Sequence, residues 1–163
     1  MNNNNKYKYD NFTVIVDTRE QQPWTFENYT VANRKLDTGD YSVEGLEEVL
    51  CIERKQSVSE FANNITEPRF KDVVERMSKY KYSFLLLEFD LENVLSYPVG
   101  SDVPRRMWEK LRISPAFILK HIIELQIYHN IKVLFCGNAS NANNMATSLM
   151  RKIDYIEHKH NQK

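Results

Sequence analysis

A chain of 163 residues, 42% of them hydrophobic, is enough sequence for one domain with a real core, which excludes a disordered polymer. Lysine plus arginine balances aspartate plus glutamate at 22 each, so bulk positive charge cannot draw the chain to a polyanion, and any nucleic-acid surface must be a local basic patch. No apolar run approaches the roughly 18 residues of a membrane span, and residues 1–6 have no apolar centre for a signal peptide; both favour an intracellular protein with no membrane partner.

In chain order, residues 1–10 read as a flexible arm. Residues 12–17 form a β-branched run that predicts a buried strand, and Gln22-Pro23-Trp24 breaks it. A second extended piece is expected over 31–36, and Thr38-Gly39-Asp40 is a turn signal. Residues 41–43 and 49–53 read as paired strands. Ser57 can cap a helix whose inner face is Val58, Phe61, Ala62 and Ile65, and Pro68 suits the first turn of the next. Residues 83–89 are apolar through their centre and predict a strand covered on both faces. Residues 91–114 read as loop with a short helix near Trp108.

Ser114-Pro115 opens a long helix reaching about His129, and its apolar residues cover more than one stripe. A strand over 131–136, a turn at Gly137 and a helix over 142–153 complete the pattern, with 155–163 as a polar, frayed tail. Strands mixed with helices predict one α/β domain spanning residues 11–154. Cys51 and Cys136 sit in apolar, strand-like stretches and read as buried thiols.

The chemistry concentrates between Gly39 and Lys55. Side chains alternate along a strand, so Glu53 and Lys55 share a face while Arg54 points away. A hairpin can bring Asp40 against Glu53. Two carboxylates on rigid strands suit the oxygen preference of magnesium or manganese. Such an ion polarises a phosphate and acidifies a bound water, and a lysine nearby can stabilise the phosphoryl oxygens. A Glu-Arg-Lys tripeptide alone usually ends a strand in solvent. Its neighbours shift the balance.

Val16-Asp17-Thr18-Arg19-Glu20, Gly39-Asp40-Tyr41, Glu53-Arg54-Lys55, Pro68-Arg69-Phe70 and the apolar run 85–89 follow one another in an order that closely resembles the nuclease domain of the XPF/Mus family of structure-specific endonucleases. The resemblance is close over residues 12–90 and looser to about 153. It implies a restriction-endonuclease-like core, a central mixed β-sheet flanked by helices. It also implies a magnesium- or manganese-dependent endonuclease acting on branched, flapped or junction DNA in repair or recombination. Asp40 and Glu53 would be the principal metal ligands and Lys55 the catalytic lysine. Asp17, a further metal ligand, and Glu20 would line the same site. Arg54 and Arg19 would support it or contact phosphate, and Arg69 would lie near the DNA backbone. The protein would be cytoplasmic in a microbe or virus and nuclear in a eukaryote.

One position departs from the pattern. The family has an aspartate four residues after the lysine, and here Ser59 stands there. Glu60 follows, but one step along a helix turns it about 100° away. A degraded member of the family would be a DNA-binding scaffold, although the retained Asp40, Glu53 and Lys55 argue for an enzyme. Larger family members add helicase or helix-hairpin-helix modules, and the chain reads as a nuclease domain without them.

Arg105, Arg106 and Lys110, beside Trp108, form the best basic patch and a candidate phosphate contact, with a solvated helix face as the alternative. His121 and His129 have no partner at metal spacing. The apolar excess on the long helix, with Met145, Leu149, Met150 and Ile153 on the last one, predicts a homodimer paired through the C-terminal helices. The resemblance points the same way.

Overall fold

In the computed structural model, residues 11–160 are described; the expected arm, residues 1–10, lies outside them. Six strands form one sheet: β1 (Thr13–Asp17), β2 (Thr30–Arg34), β3 (Tyr41–Val43), β4 (Leu50–Lys55), β5 (Tyr82–Leu87) and β6 (Lys132–Phe135). Their spatial order is β2-β1-β3-β4-β5-β6. The pairings β1–β2, β4–β5 and β5–β6 are parallel, while β3 runs antiparallel to both β1 and β4, so the sheet is mixed as expected. The central strands are apolar because both faces are covered: Val14, Ile15, Ile52, Leu86 and Leu87 are fully buried.

Parallel crossovers are right-handed, so the segments joining β4 to β5 and β5 to β6 fall on one face of the sheet. There lie α1 (Val58–Asn64), α2 (Pro68–Met77), α3 (Leu91–Leu95) and α4 (Pro115–His129), packed around Phe61, Leu85, Ile118, Ile122 and Leu125. Two of them start where their serines predict. Ser57 Oγ accepts from Glu60 N at 3.1 Å, and Ser114 Oγ accepts from Phe117 N at 3.2 Å. The last helix, α5 (Ala139–His160), covers the other face with Ala142, Ala146, Met150 and Ile153 against Val14, Tyr41 and Ile52.

Two expectations need correction. Residues 91–95 are helical where loop was expected, because Asp90 and Asn93 cap the segment reciprocally and Val94 is fully buried. The short helix expected near Trp108 is present, as a 3-10 helix over Arg105–Lys110. Finally, α5 begins at Ala139 and runs on to His160, into the segment expected to fray, whose residues 161–163 lie outside the described ones. Asn138 Oδ1 caps its start by accepting from Asn141 N at 2.8 Å. Glu157 Oε1 holds its end, accepting from Lys81 Nζ at 2.6 Å and Tyr82 Oη at 2.9 Å.

Candidate active site

The site is built on the β3–β4 hairpin. Gly39 has φ +86°, and a Cβ there would lie 2.6 Å from Cys51 Sγ, so the turn lies hard against β4 only because the residue is glycine. Asp40 N then donates to Ile52 O at 2.8 Å, and Asp40 Oδ2 accepts from Arg54 N at 2.8 Å. These bonds fix Asp40 opposite the end of β4. Asp40 O accepts from Asp17 N at 2.8 Å, which ties in the end of β1. Glu53 and Lys55 project from the same face of β4, and Lys55 Nζ donates to Glu53 Oε1 at 2.8 Å.

These groups border an open polar cleft of about 720 Å³, lined among others by Asp17, Arg19, Glu20, Asp40, Glu53, Glu60, Arg69 and Arg76. An adjoining cavity shares Arg19, Glu53, Arg69 and Arg76 and adds Lys55. Burial, reinforced by the charge of Glu53, pushes the Asp40 carboxyl well above its ordinary range. Burial alone would depress the Lys55 ammonium. The Glu53 charge and hydrogen bond, with Glu60 and Asp40 beyond them, outweigh that and hold Lys55 charged.

Asp40, whose ionisation burial and the Glu53 charge oppose, forms with Glu53 a hard-oxygen donor pair whose repulsion a divalent cation would relieve. Asp40 Oδ1 has no donor among the described residues, so it is free to bind an ion. The residues present therefore fit magnesium or manganese. Among the described residues no group of three or more Asp, Glu, His or Cys forms a cage. An ion held here would complete its shell with water and phosphate oxygens, as magnesium commonly does.

Other expected residues take different parts. Asp17 is spent. Its Oδ1 accepts from Arg19 N at 2.8 Å and Arg19 Nε at 2.7 Å, and its Oδ2 from Arg19 Nη2 at 3.0 Å and Leu36 N at 2.7 Å. Burial would raise its pKa, but these bonds to Arg19 and Leu36 outweigh it and the net shift is downward. With both oxygens used, Asp17 clips the loop after β1 in place and does not offer itself to a metal. Glu20 lines the cleft, its Oε1 accepting from Gln22 N at 2.8 Å.

Arg54 lies on the back of the sheet, as strand alternation requires. Its Nη1 donates to Gln22 O at 2.5 Å and Tyr41 Oη at 3.2 Å, and its Nε lies 3.2 Å from Glu88 Oε1. The guanidinium sits over Trp24, whose Nε1 donates to the same Glu88 oxygen at 2.7 Å. Arg54 therefore anchors the 20–24 loop and is not a group facing the cleft. Arg105, Arg106 and Lys110 are exposed on their 3-10 helix and line neither cleft, with Arg105 over the Trp108 ring.

One cleft residue was missed and another was discounted. Arg76 lies two helical turns after Arg69 on α2, and its Nε is buried with no partner among the described residues. That i,i+7 spacing was the available signal. The other is Glu60, discussed below.

A mixed sheet flanked by helices, with an acid pair and a lysine on adjacent strand ends, is a restriction-endonuclease-like fold. Residues 16–149 match the ERCC4 domain, and the chain belongs to that family. It is 25% identical over 134 residues to the 3′-flap repair endonuclease Xpf of Saccharolobus solfataricus, covering 82% of this chain and 50% of that protein. The chain thus spans about half the length of this curated relative. XPF from Aeropyrum pernix superposes with a TM-score of 0.63 at 22% identity, covering 85% of this chain and 63% of that one. The same protein in complex with DNA gives 0.62 at 19% identity, covering 90% and 66%. The expected XPF-type fold is borne out.

Proposed function

We propose that this protein is a magnesium- or manganese-dependent DNA endonuclease that cuts flapped or branched duplexes. The observation that carries this reading is the convergence of Asp40, Glu53 and Lys55 on two adjoining cavities that share Glu53 and whose lining includes Arg19, Arg69 and Arg76. A relative named as a 3′-flap repair endonuclease supports the substrate class.

Asp40 and Glu53 would hold the ion, which when bound polarises the phosphate and lowers the pKa of a water. Lys55, kept charged by Glu53, donates to the developing charge on the phosphoryl oxygens or orients the attacking water. Arg69 and Arg76, on one face of α2, grip the DNA backbone next to the scissile bond. The exposed patch of Arg105, Arg106 and Lys110 would meet a more distant part of the duplex. Pairing with a second copy through α4 belongs to the same reading, as does a role in repair or recombination inside the cell. No described helix is long and apolar enough to cross a membrane.

The test is incubation with magnesium and single-stranded, duplex, 3′-flap, fork and four-way-junction DNAs. We expect cleavage of flapped or forked duplexes, abolished by EDTA and lowered by about two to four powers of ten in Lys55→Ala. Wild-type rates in that variant would mean the site is elsewhere. Binding of flap DNA without any cleavage would make the chain a scaffold.

A further inference from the structure

The acid position that departs from the family pattern is resolved by where two adjacent side chains point. Ser59 is buried and turned out of the cleft, with its Oγ donating to Asp102 Oδ1 on the loop before the basic 3-10 helix. Glu60 turns in and lines the cleft with Asp40 and Glu53. Its Oε1 lies 3.9 Å from Lys55 Nζ, on an ammonium that also donates to Glu53. Its Oε2 accepts from Gln56 N at 2.7 Å, which fixes the carboxylate. The expected 100° between these two neighbours holds, but it carries Ser59 out of the cleft and Glu60 in. Ser57 caps α1, so the helix begins at Val58 and its own start sets which residue faces the cleft.

We propose that Glu60 is a positioning residue for Lys55, the second of two carboxylates that hold the ammonium facing the scissile phosphate. This rests on the nuclease reading above. Glu53 alone would leave Lys55 free to swing about one contact. With Glu60 Oε1 also 3.9 Å away, the ammonium answers to two carboxylates, one that would also hold the ion and one that would not. Glu60 is 40% exposed, and its backbone amide bond gives it a fixed place at the cleft edge.

An ordinary role is available as well, since an acid in the first turn of a helix favours the helix dipole. Glu60→Gln separates the two. The amide oxygen still accepts from Gln56 N, and the charge facing Lys55 is gone. The measurements are kcat and KM on a 3′-flap duplex with magnesium, manganese affinity by electron paramagnetic resonance, the melting temperature, and the ¹H–¹⁵N signal of the Lys55 ammonium. A buried, ion-paired ammonium exchanges slowly with water and gives a signal, assigned by its loss in Lys55→Ala.

We expect Glu60→Gln to lower kcat by about 10- to 100-fold with KM little changed. Manganese affinity should stay within about threefold of wild type, because an exposed charge acts weakly at a distance. The Lys55 ammonium signal should broaden beyond detection. Glu60→Asp should restore part of the rate. Wild-type kcat and an intact ammonium signal in Glu60→Gln, with Lys55→Ala inactive, would overturn the role of Glu60 and leave the nuclease reading standing. Lys55→Ala cleaving at the wild-type rate would overturn both. Loss of manganese affinity as large as in Glu53→Gln would overturn positioning in favour of direct ligation. Should the wild-type protein cleave no substrate, the ammonium signal alone decides: lost in Glu60→Gln it supports the proposal, and unchanged it refutes it.

Discussion

The Asp40 carboxylate accepts a hydrogen bond from the Arg54 backbone N–H at 2.8 Å, so an acid on the turn is positioned by the strand that carries the other acid. The Asp40–Glu53 relationship is then a property of the hairpin and not of two flexible side chains. Preorganisation of this kind matters most where charge must be placed before the reacting group arrives.

Replacing Asp40 by Asn or Glu53 by Gln keeps side-chain volume and removes one anionic donor. Each variant should lose cleavage by at least about two powers of ten and bind manganese more weakly. Asp40→Asn should be at least as stable as wild type near pH 7. Its pKa is raised in the fold, so the buried carboxylate costs stability above its unfolded pKa, and the neutral amide escapes that cost. Calorimetric binding and thermal melts check both halves. Near-normal turnover by both variants would remove the metal site from this hairpin.

Arg54 gives a different expectation. It is 7% exposed, and its guanidinium holds Gln22 O, Tyr41 and Glu88 behind the sheet. Arg54→Ala leaves Glu88 buried without its cation and should cost on the order of 3 kcal/mol in denaturant unfolding. Below its melting transition the variant should retain far more cleavage than Lys55→Ala. If a fully folded Arg54→Ala were as inactive as Lys55→Ala, Arg54 would be contacting substrate.

Ser59→Ala should cleave at close to the wild-type rate. The hydroxyl points to Asp102 and not to the cleft, so its loss affects the loop leading to Arg105 and Arg106. Leaving Asp102 without that donor should cost about 1 kcal/mol, read as a small drop in melting temperature. A turnover loss equal to that of Glu53→Gln would place Ser59 in the machinery after all.

How much of this was legible follows from the range of each determinant. The shared face of Glu53 and Lys55, the Gly39 turn and the serine caps are set by residues within a few positions, and the sequence displays them. Arg54 was known to point away, but what it meets there, Gln22 and Glu88, lies 32 and 34 residues distant in the chain. Asp17 looked like a ligand because its saturation depends on Leu36 N, supplied by another strand's exit. Glu60 was discounted because it lies one residue past the family's acid position, whereas the Ser57 cap sets the helix phase that turns Glu60, and not Ser59, into the cleft. The end of α5 was missed because Glu157 is held by Lys81 and Tyr82, more than 70 residues earlier.

The C-terminal half carries the last prediction. The apolar excess of α4 is real: Ile118, Ile122 and Leu125 are buried, while Phe117, Ile123, Ile127 and Tyr128 are 38%, 44%, 69% and 74% exposed. Of the intramolecular alternative, in which the last helix and the loop around Trp108 cover this excess, only the loop is on the right side: Val103, Leu111 and Ile113 pack on the core of Ile118 and Ile122, while α5 packs on the opposite face of the sheet. On α5, Met150 and Ile153 are already buried in the second core, so of the residues expected to pair there Met145, 41% exposed, is the one most available. Any two-fold contact should therefore centre on the outer face of α4, beside the edge strand β6. Light scattering should show twice the 19.3 kDa chain mass at micromolar concentration. Ile123→Lys combined with Ile127→Glu should return the protein to a monomer without lowering its melting temperature at low concentration, because neither side chain belongs to the core. A wild-type monomer across the whole concentration series would leave α4 an exposed apolar face and rule out the pairing.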